Sequence, residues 1–197
     1  MIEVRRERPD DFAVVDAIHR EAFGRPDEAS LVKALRVHGD AYIGLVAIAR
    51  GTVAGHIAFS PATLHSSSVS SRVLALGPIA VRRASQRRGI GSALVQAGLA
   101  ACRALEHDVV VVLGHPGFYP RFGFVPGRAA GVMTEYPVPD EAFMVAELTP
   151  GALRNRRGVV YYASEFSLVA PATTRISASG SPSGDCRRAP GGPAGSA

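Results

Sequence analysis

Lysine and cysteine are scarce in this chain of 197 residues. Lys33 is the single lysine among 22 basic residues, so arginine carries almost all of the positive charge. Arginine favours two-point contacts with phosphate or carboxylate groups, although a compositional bias of the source genome would produce the same excess. The formal net charge of +5 also permits contact with nucleic acid. No basic run alternates with aromatic residues, however, so the sequence does not favour nucleic acid as a partner.

The two cysteines, Cys102 and Cys186, are too few for a disulfide framework. A reduced, intracellular setting is the simpler interpretation. The N-terminal residues have no apolar core of signal-peptide length, and the apolar run Val109–Leu113 is far short of a membrane span. We therefore expect a cytoplasmic protein with no membrane partner.

Two patterns of catalytic or metal-binding residues are also missing. The chain contains no Gly-x-Ser-x-Gly sequence, which removes support for a serine hydrolase. Its six histidines show no metal-ligand spacing, and its two cysteines lie far apart, so we expect no metal site. A length of 197 residues, 47% of them hydrophobic, suits one domain with a full core.

The composition changes near residue 170 and divides the chain into two parts. Residues 171–197 consist mostly of Pro, Gly, Ser, Ala and Thr. Such a segment buries too little apolar surface to offset the entropy of ordering it. We predict that residues 1–170 form the folded domain and that residues 171–197 form a disordered tail.

Apolar periodicity predicts a mixed α/β fold for residues 1–170. Apolar residues three and four apart predict helices that start near Pro9, Asp27 and Ile90. The third helix is predicted to bury one stripe, formed by Ile90, Leu94, Ala97, Ala101 and Leu105. Apolar or alternating segments predict strands, at 2–5, 41–49, 52–60, 73–81, 109–113, 143–148 and 158–167. The helix between the segments 73–81 and 109–113 predicts a parallel crossover.

Two further segments have no clear periodicity. Residues 61–71 contain five serines and are predicted to form a polar surface loop. Residues 125–139 are predicted to be irregular.

A glycine-bearing turn separates the strand 73–81 from the third helix. Its sequence is Gln86-Arg87-Arg88-Gly89-Ile90-Gly91. A turn that opens a helix presents free backbone N–H groups and the positive end of the helix dipole, which suits a phosphate or pyrophosphate. The turn is not a P-loop, because no lysine follows the glycines, and it matches the dinucleotide fingerprint poorly.

This turn resembles the acetyl-CoA motif of the Gcn5-related N-acetyltransferase (GNAT) superfamily, which reads Gln/Arg-x-x-Gly-x-Gly/Ala. A second element agrees, because the sequence Tyr119-Pro120-Arg121-Phe122-Gly123-Phe124 fits the Tyr-x-x-x-Gly-Phe that the family places after its fifth strand. The amino-acid sequences of residues 55–61, 76–81 and 112–116 are similar to those of the YhbS-like bacterial subgroup. The resemblance covers roughly residues 2–166.

The resemblance implies a GNAT-like fold, in which a mixed and partly splayed sheet is flanked by helices in a single domain. It also implies acetyl-CoA as co-substrate. The residues implied to bind it lie on the splayed strand and in the turn: Ile79, Ala80, Val81, Gln86, Arg87, Arg88, Gly89, Ile90, Gly91 and Ser92. In the family the strand backbone pairs with the pantetheine arm, and the turn N–H groups hold the pyrophosphate. Arg83 would add a further charged contact.

The resemblance also implies that Tyr119 protonates the departing CoA thiolate. A phenol with a pKa of about 10 is a suitable proton donor to a thiolate. The alternative is a tyrosine that only packs in the core. Many relatives carry a carboxylate base on the fourth strand, but residues 73–81 contain no Asp or Glu. The remaining candidates for the base are Glu28, His56, His115 and Glu135, or ordered water.

We therefore predict an N-acetyltransferase that moves an acyl group from acetyl-CoA to a primary amine, as a monomer or homodimer. In this fold the acceptor pocket comes from the first two helices and residues 125–139. Acidic residues occur in and beside these segments, which favours a cationic amine as the acceptor: Asp27, Glu28, Glu135, Asp140 and Glu141. One alternative is a CoA-binding regulatory module without transferase activity, which the missing strand carboxylate would permit. Another is a nucleic-acid-binding protein that uses its arginine surface.

Overall fold

The structure is a computed structural model that describes residues 1–66 and 69–169. Within these residues the chain forms one mixed sheet with helices on both faces. The predicted tail, residues 171–197, and the last residue of the predicted domain lie outside the described residues.

The described residues form three α-helices and nine β-strands. The helices are α1 (Phe12–Phe23), α2 (Asp27–Leu35) and α3 (Ile90–Ala104). The strands are β1 (Ile2–Arg6), β2 (Ile43–Ala49), β3 (Thr52–His65), β4 (Ser70–Val81), β5 (Val109–Leu113), β6 (Val125–Pro126), β7 (Val132–Thr134), β8 (Phe143–Glu147) and β9 (Gly158–Tyr162). Short 3-10 helices include Arg36–Ala41, Arg83–Ser85, Tyr119–Phe122 and Ser164–Leu168. No helix of the described part is long and apolar enough to cross a membrane.

The strands follow the order β1-β2-β3-β4-β5-β8-β6, while β9 pairs with β3 and β7 pairs with β9. Successive side chains of a strand point to opposite faces, so each strand contributes to two layers. On one face Leu45 and Ile57 pack with α3, and on the other Val46 packs with α1 and α2. The predicted parallel crossover is confirmed, because β4 and β5 run parallel and α3 connects them.

Strands β4 and β5 separate part-way along their length. Residues 74–76 of β4 pair with residues 110–112 of β5. Beyond that point Ile79, Ala80 and Val81 pair with β3, and no other described strand pairs with them. The far end of β4 therefore has one free backbone edge. The mixed, partly splayed sheet that the resemblance implies is confirmed.

Helix α3 packs against the sheet on a face rotated from the predicted stripe. Ile90 and Leu94 are buried as predicted, but Leu105 lies beyond the end of the helix and is 45% exposed. The buried face continues instead through Gly98 and Cys102. Glycine is required at position 98 because a Cβ there would overlap the ring of Phe59 on β3.

The predicted surface loop at residues 61–71 is wrong. Strand β3 runs to His65, and β4 starts at Ser70, so the two strands form a longer hairpin. Ala62 and Leu64 are buried because β9 pairs with this end of β3 and Val160 packs there. The serine-rich composition of the segment does not indicate this pairing, because the pairing depends on a strand almost a hundred residues later in the sequence.

Two other segments also differ from expectation. The predicted strand 158–167 ends at Tyr162 and continues as the 3-10 helix Ser164–Leu168. The segment 125–139 contains the short strands β6 and β7. Both segments contribute to the cavity described next.

Candidate active site

Two cavities meet where β4 separates from β5. The first, which we call the strand groove, has a volume of about 390 Å³. It is lined by Ala22, Phe23, Ile79, Ala80, Val81, Gln86, Gly91, Gly114, His115, Phe118 and Tyr119. The second, the aromatic pocket, has a volume of about 410 Å³. Phe23, Ile79 and Tyr119 line both cavities, so these residues mark their junction.

The strand groove follows the free edge of β4 to the glycine-bearing turn. The side-chain amide of Gln86 donates from Nε2 to the carbonyl oxygen of Val81 at 3.1 Å, which ties the turn to the end of β4. Gly89 has a φ of +81°, which favours glycine at this helix start. The backbone N–H of Arg83 donates to Oε1 of Glu21 at 2.8 Å and holds the turn against α1.

Helix α3 begins at this turn with backbone donors that have no partner among the described residues. Its hydrogen bonding starts at Ala93, whose N–H donates to the carbonyl of Gly89 at 2.9 Å. The N–H groups of Ile90, Gly91 and Ser92 precede that bond, as at any helix N-terminus. These donors and the helix dipole favour an anion at the turn.

The structure brings together five of the ten residues predicted to bind the cofactor. Ile79, Ala80, Val81, Gln86 and Gly91 line the strand groove. The other five do not line it as side chains. The turn residues Arg87, Arg88 and Gly89 are exposed, Ser92 is half-buried, and the side chain of Ile90 is buried in the core.

Tyr119 lies at the junction and is only 6% exposed. It begins the 3-10 helix Tyr119–Phe122, and its ring makes edge-to-face contacts with Phe118 and Phe124 at centroid distances of 5.0 and 5.6 Å. A Cβ at position 114 would overlap its ring, so Gly114 permits this placement. Burial raises the pKa of Tyr119 to about 12, which keeps the phenol protonated at neutral pH.

Two of the four candidate bases line a cavity. Glu28 lines the aromatic pocket, and His115 lines the strand groove, where its Nδ1 accepts the N–H of Gly117 at 3.1 Å. Glu135 is buried and accepts the backbone N–H of Tyr162 at 2.8 Å. Of the four, Glu28 is thus the carboxylate that faces the cavity beyond Tyr119.

His56 lines neither cavity and belongs to a buried cluster, in which the ring of His19 stacks against Phe23 of the junction at a centroid distance of 6.0 Å. We call this cluster the histidine network; its members are Glu7, His19, Arg36, Tyr42 and His56. Arg36 donates to both carboxylate oxygens of Glu7 at 3.0 and 2.8 Å. Nε2 of His56 lies 3.4 Å from Glu7, and Nδ1 of His56 lies 2.9 Å from Nε2 of His19.

The histidine network holds an ionised carboxylate beside neutral imidazoles. Burial alone would raise the pKa of Glu7, but hydrogen bonds from His56 and Arg36, together with the positive charge of Arg36, outweigh it and lower this pKa to about 2. Burial is the main cause that lowers the pKa of His19 to about 3, and the positive charge of Arg36 adds to it. Burial also lowers the pKa of His56, although Glu7 opposes the shift.

Part of the lining of the aromatic pocket comes from the segments expected to form the acceptor pocket, the first two helices and residues 125–139, but the contributions of Tyr162 and Phe166 were not predicted. Three aromatic residues line the far side of this pocket. Tyr136 comes from the segment after β7, Tyr162 from β9, and Phe166 from the 3-10 helix that follows β9. Phe23, at the end of α1, completes the wall beside β4. No periodicity links these positions, because they converge only through the pairing of β9 with β3 and β7.

Within residues 1–66 and 69–169, no cluster of His, Cys, Asp and Glu is arranged to hold a metal ion.

Comparisons with known proteins agree on the family. The acetyltransferase (GNAT) family model matches residues 6–124 of this chain. The uncharacterized N-acetyltransferase YhbS of Escherichia coli K12 is 33% identical over 165 residues, which cover 83% of this chain and 98% of that protein.

Two solved structures are similar over most of the chain. The crystal structure of YhbS from Escherichia coli in complex with CoA has a TM-score of 0.78 at 33% identity and covers 84% of this chain and 92% of its own. The structure of a GNAT family acetyltransferase from Brucella melitensis in complex with acetyl-CoA has a TM-score of 0.69 at 32% identity. It covers 84% of this chain and 98% of its own.

Proposed function

Because this chain belongs to the acetyltransferase (GNAT) family, we propose that it transfers the acetyl group of acetyl-CoA to a primary amine. The observation that carries this proposal is the meeting of the strand groove and the aromatic pocket at Ile79 and Tyr119. A thioester at the end of one cavity is then within reach of an amine in the other. The relatives crystallised with CoA and acetyl-CoA support the choice of donor.

We assign CoA to the strand groove. The pantetheine arm would pair with the free backbone edge of Ile79, Ala80 and Val81, because an extended amide chain satisfies unpaired strand groups as another strand does. The pyrophosphate would accept hydrogen bonds from the first N–H groups of α3. The exposed guanidinium groups of Arg87 and Arg88 would add charge-assisted contacts to phosphate oxygens.

The reaction needs an amine, a polarised thioester and a proton donor. After its ammonium form loses a proton to water, the amine nitrogen attacks the thioester carbon, and a C–N bond forms as the C–S bond breaks. A backbone N–H of β4 that donates to the carbonyl oxygen would stabilise the developing negative charge, an effect worth about 3 kcal/mol per donor in other enzymes.

Tyr119 would then protonate the departing thiolate. Its pKa of about 12 keeps the proton available, and the burial that disfavours phenolate also disfavours an unprotonated thiolate at the same point. The second proton of the attacking nitrogen replaces the one that Tyr119 donates. The products are an N-acetylated amine and the CoA thiol, with one proton released overall.

The proposal is tested by incubating the full chain with acetyl-CoA and a panel of primary amines. Free thiol is measured with a thiol reagent, and the product by mass spectrometry. We expect equal amounts of thiol and N-acetylated amine. Thermal stabilisation by acetyl-CoA without thiol release from any amine would contradict the proposal and favour a CoA-binding module without transferase activity.

A further inference from the structure

The aromatic pocket combines an apolar wall with one charged group. Five aromatic rings line it, those of Phe23, Tyr119, Tyr136, Tyr162 and Phe166. Aliphatic side chains, including Leu31 and Val138, complete the wall. Among the described residues that line this pocket, Glu28 is the only one with a charged side chain. The lining therefore suits a ligand that is mostly apolar and carries one positive charge.

The far wall of the pocket is a packed aromatic cluster. The rings of Tyr136 and Tyr162 lie 5.3 Å apart between centroids at 50°, and those of Tyr162 and Phe166 lie 5.0 Å apart at 62°. Such tilted and edge-to-face pairs are the favoured arrangements of aromatic rings. The cluster presents a rigid apolar surface to whatever occupies the 410 Å³ of space.

Glu28 lies in the first turn of α2, and its carboxylate retains acceptor capacity. The side chain is 7% exposed and is held from outside by Arg25, which is 53% exposed. Arg25 donates from Nε to both oxygens of Glu28 at 3.2 Å and from Nη2 to Oε1. A carboxylate accepts about four hydrogen bonds, so Oε2 retains room for another donor.

We propose that the acceptor is a small primary monoamine with an aromatic or branched aliphatic body, whose ammonium group binds Glu28 while its body fills the aromatic pocket. This inference rests on the proposed function, because it names the amine that would meet the thioester. Glu28 is a binding residue here: it attracts the ammonium form and positions the nitrogen near the junction at Tyr119.

The same features disfavour acceptors with several charges. A second ammonium group inside the pocket would find no second carboxylate in the described lining, so no opposite charge would compensate its lost hydration. Polyamines and similar polycations are therefore expected to be poor acceptors. A lysine side chain on a protein presents a thin aliphatic stem that would leave most of the aromatic wall uncovered.

The test compares kcat/KM for 2-phenylethylamine, isoamylamine, ethanolamine, spermidine and a lysine-containing peptide with the full chain and saturating acetyl-CoA. We expect the two apolar monoamines to exceed the other three by at least tenfold. A higher kcat/KM for spermidine or the peptide would overturn the inference while leaving the proposed transferase function intact.

Two variants probe the assigned charge and the wall. Glu28→Gln should raise the KM for 2-phenylethylamine by roughly tenfold to a hundredfold, since a charged hydrogen bond is lost, and should leave the KM for acetyl-CoA unchanged. Asp27→Asn is the matched control, because Asp27 also lies near Arg25, at 3.7 Å, but does not line the pocket. Val138→Phe should lower kcat/KM for 2-phenylethylamine more than for ethanolamine. An unchanged KM in Glu28→Gln would overturn the assigned contact.

Failure of the proposed function can be separated from failure of this inference. If no amine yields thiol, the pocket is tested directly by calorimetric titration of 2-phenylethylamine into the protein with CoA present. Binding that is lost in Glu28→Gln, and absent for the carboxylate 3-phenylpropionate, would support the inference without transferase activity. Equal binding of amine and carboxylate, or no binding of the amine, would contradict it.

Discussion

The histidine network and the junction of the two cavities both bury titratable side chains, but only the junction faces open space. In the network, Glu7 and His56 contact protein partners at 2.8 to 3.5 Å. At the junction, Tyr119 lies between cavities of about 390 and 410 Å³. Burial shifts the pKa in both places, so a shifted pKa does not by itself identify a reaction site. Room for a ligand beside the group separates the two.

This comparison predicts that the two regions have different roles, which substitutions in each region can test. Changes at the junction should lower turnover and leave stability nearly unchanged. Changes in the histidine network should lower stability and leave turnover of the folded enzyme nearly unchanged.

The largest effect is expected for Tyr119→Phe. Loss of the proton donor should lower kcat by about 10²- to 10⁴-fold, the usual contribution of general acid catalysis. The free energy of unfolding should change by at most about 1 kcal/mol, because the phenyl ring and its packing are kept and Tyr119 lines two cavities. Steady-state thiol release and urea unfolding measure the two quantities. Tyr161→Phe, on β9 and in edge-to-face contact with His65, is the matched control. Unchanged turnover in Tyr119→Phe would remove the acid role.

Next in size is Glu7→Gln in the histidine network. Its carboxylate is 7% exposed and compensates Arg36, which is 16% exposed, so its loss leaves a mostly buried cation without its opposite charge. We expect a loss of about 3 kcal/mol in the free energy of unfolding, measured by urea denaturation. The KM and kcat of the folded variant should match those of the unchanged protein. Glu3→Gln, on the exposed side of β1, should change stability little. A specific loss of kcat in Glu7→Gln would contradict the expectation that the histidine network affects stability and not turnover.

The pH dependence of stability follows from the same network. An unfolded histidine has a pKa of about 6.5, whereas folding lowers that of His19 to about 3. The unfolded state therefore binds a proton first, and stability present above about pH 6.5 is lost as the pH falls toward 3. The slope should be about 1.4 kcal/mol per pH unit for each such histidine.

Urea denaturation between pH 7 and pH 5 measures this slope. His19→Gln should reduce it, while His65→Gln, at an exposed position, should not. Equal slopes in the protein and in His19→Gln would contradict a neutral, buried His19. Below about pH 4.5 the carboxylate of Glu7 adds a further loss of the same sign, since folding lowers its pKa to about 2.

The smallest effect is expected for Arg88→Gln at the exposed turn. A solvated guanidinium contributes at most about 1 kcal/mol to a phosphate contact, so the KM for acetyl-CoA should rise by about fivefold or less. The difference should shrink as salt is added, because screening weakens exposed charge pairs. Arg154→Gln is the control, because Arg154 lines neither cavity. A KM that stays higher in Arg88→Gln at every salt concentration would point to a buried contact.

Features with local causes could be predicted from the sequence. The glycines of the turn from Gln86 to Gly91, and the helix that follows, indicate the turn. The spacing of Tyr119 from Gly123 indicates the tyrosine. The parallel crossover follows from the strand, helix and strand around that turn. Each of these depends on residues within about one supersecondary unit.

Features that depend on distant pairing could not be predicted. Nothing local distinguishes Glu28, which faces the aromatic pocket, from His56, which faces His19 and Glu7. Tyr162 and Phe166 reach the same pocket only because β9 pairs with both β3 and β7. The buried ends of the β3–β4 hairpin were missed for the same reason, since their cover comes from β9.

The most direct test of the account is amide hydrogen exchange with and without CoA. We expect CoA to slow exchange at residues 79–81 on the free edge of β4 and at residues 87–92 in the turn and first turn of α3. Exchange in β2 and β3 around the histidine network should not change. Saturating CoA that leaves residues 79–81 unprotected, or that protects the histidine network instead, would contradict the assignment of the strand groove to CoA.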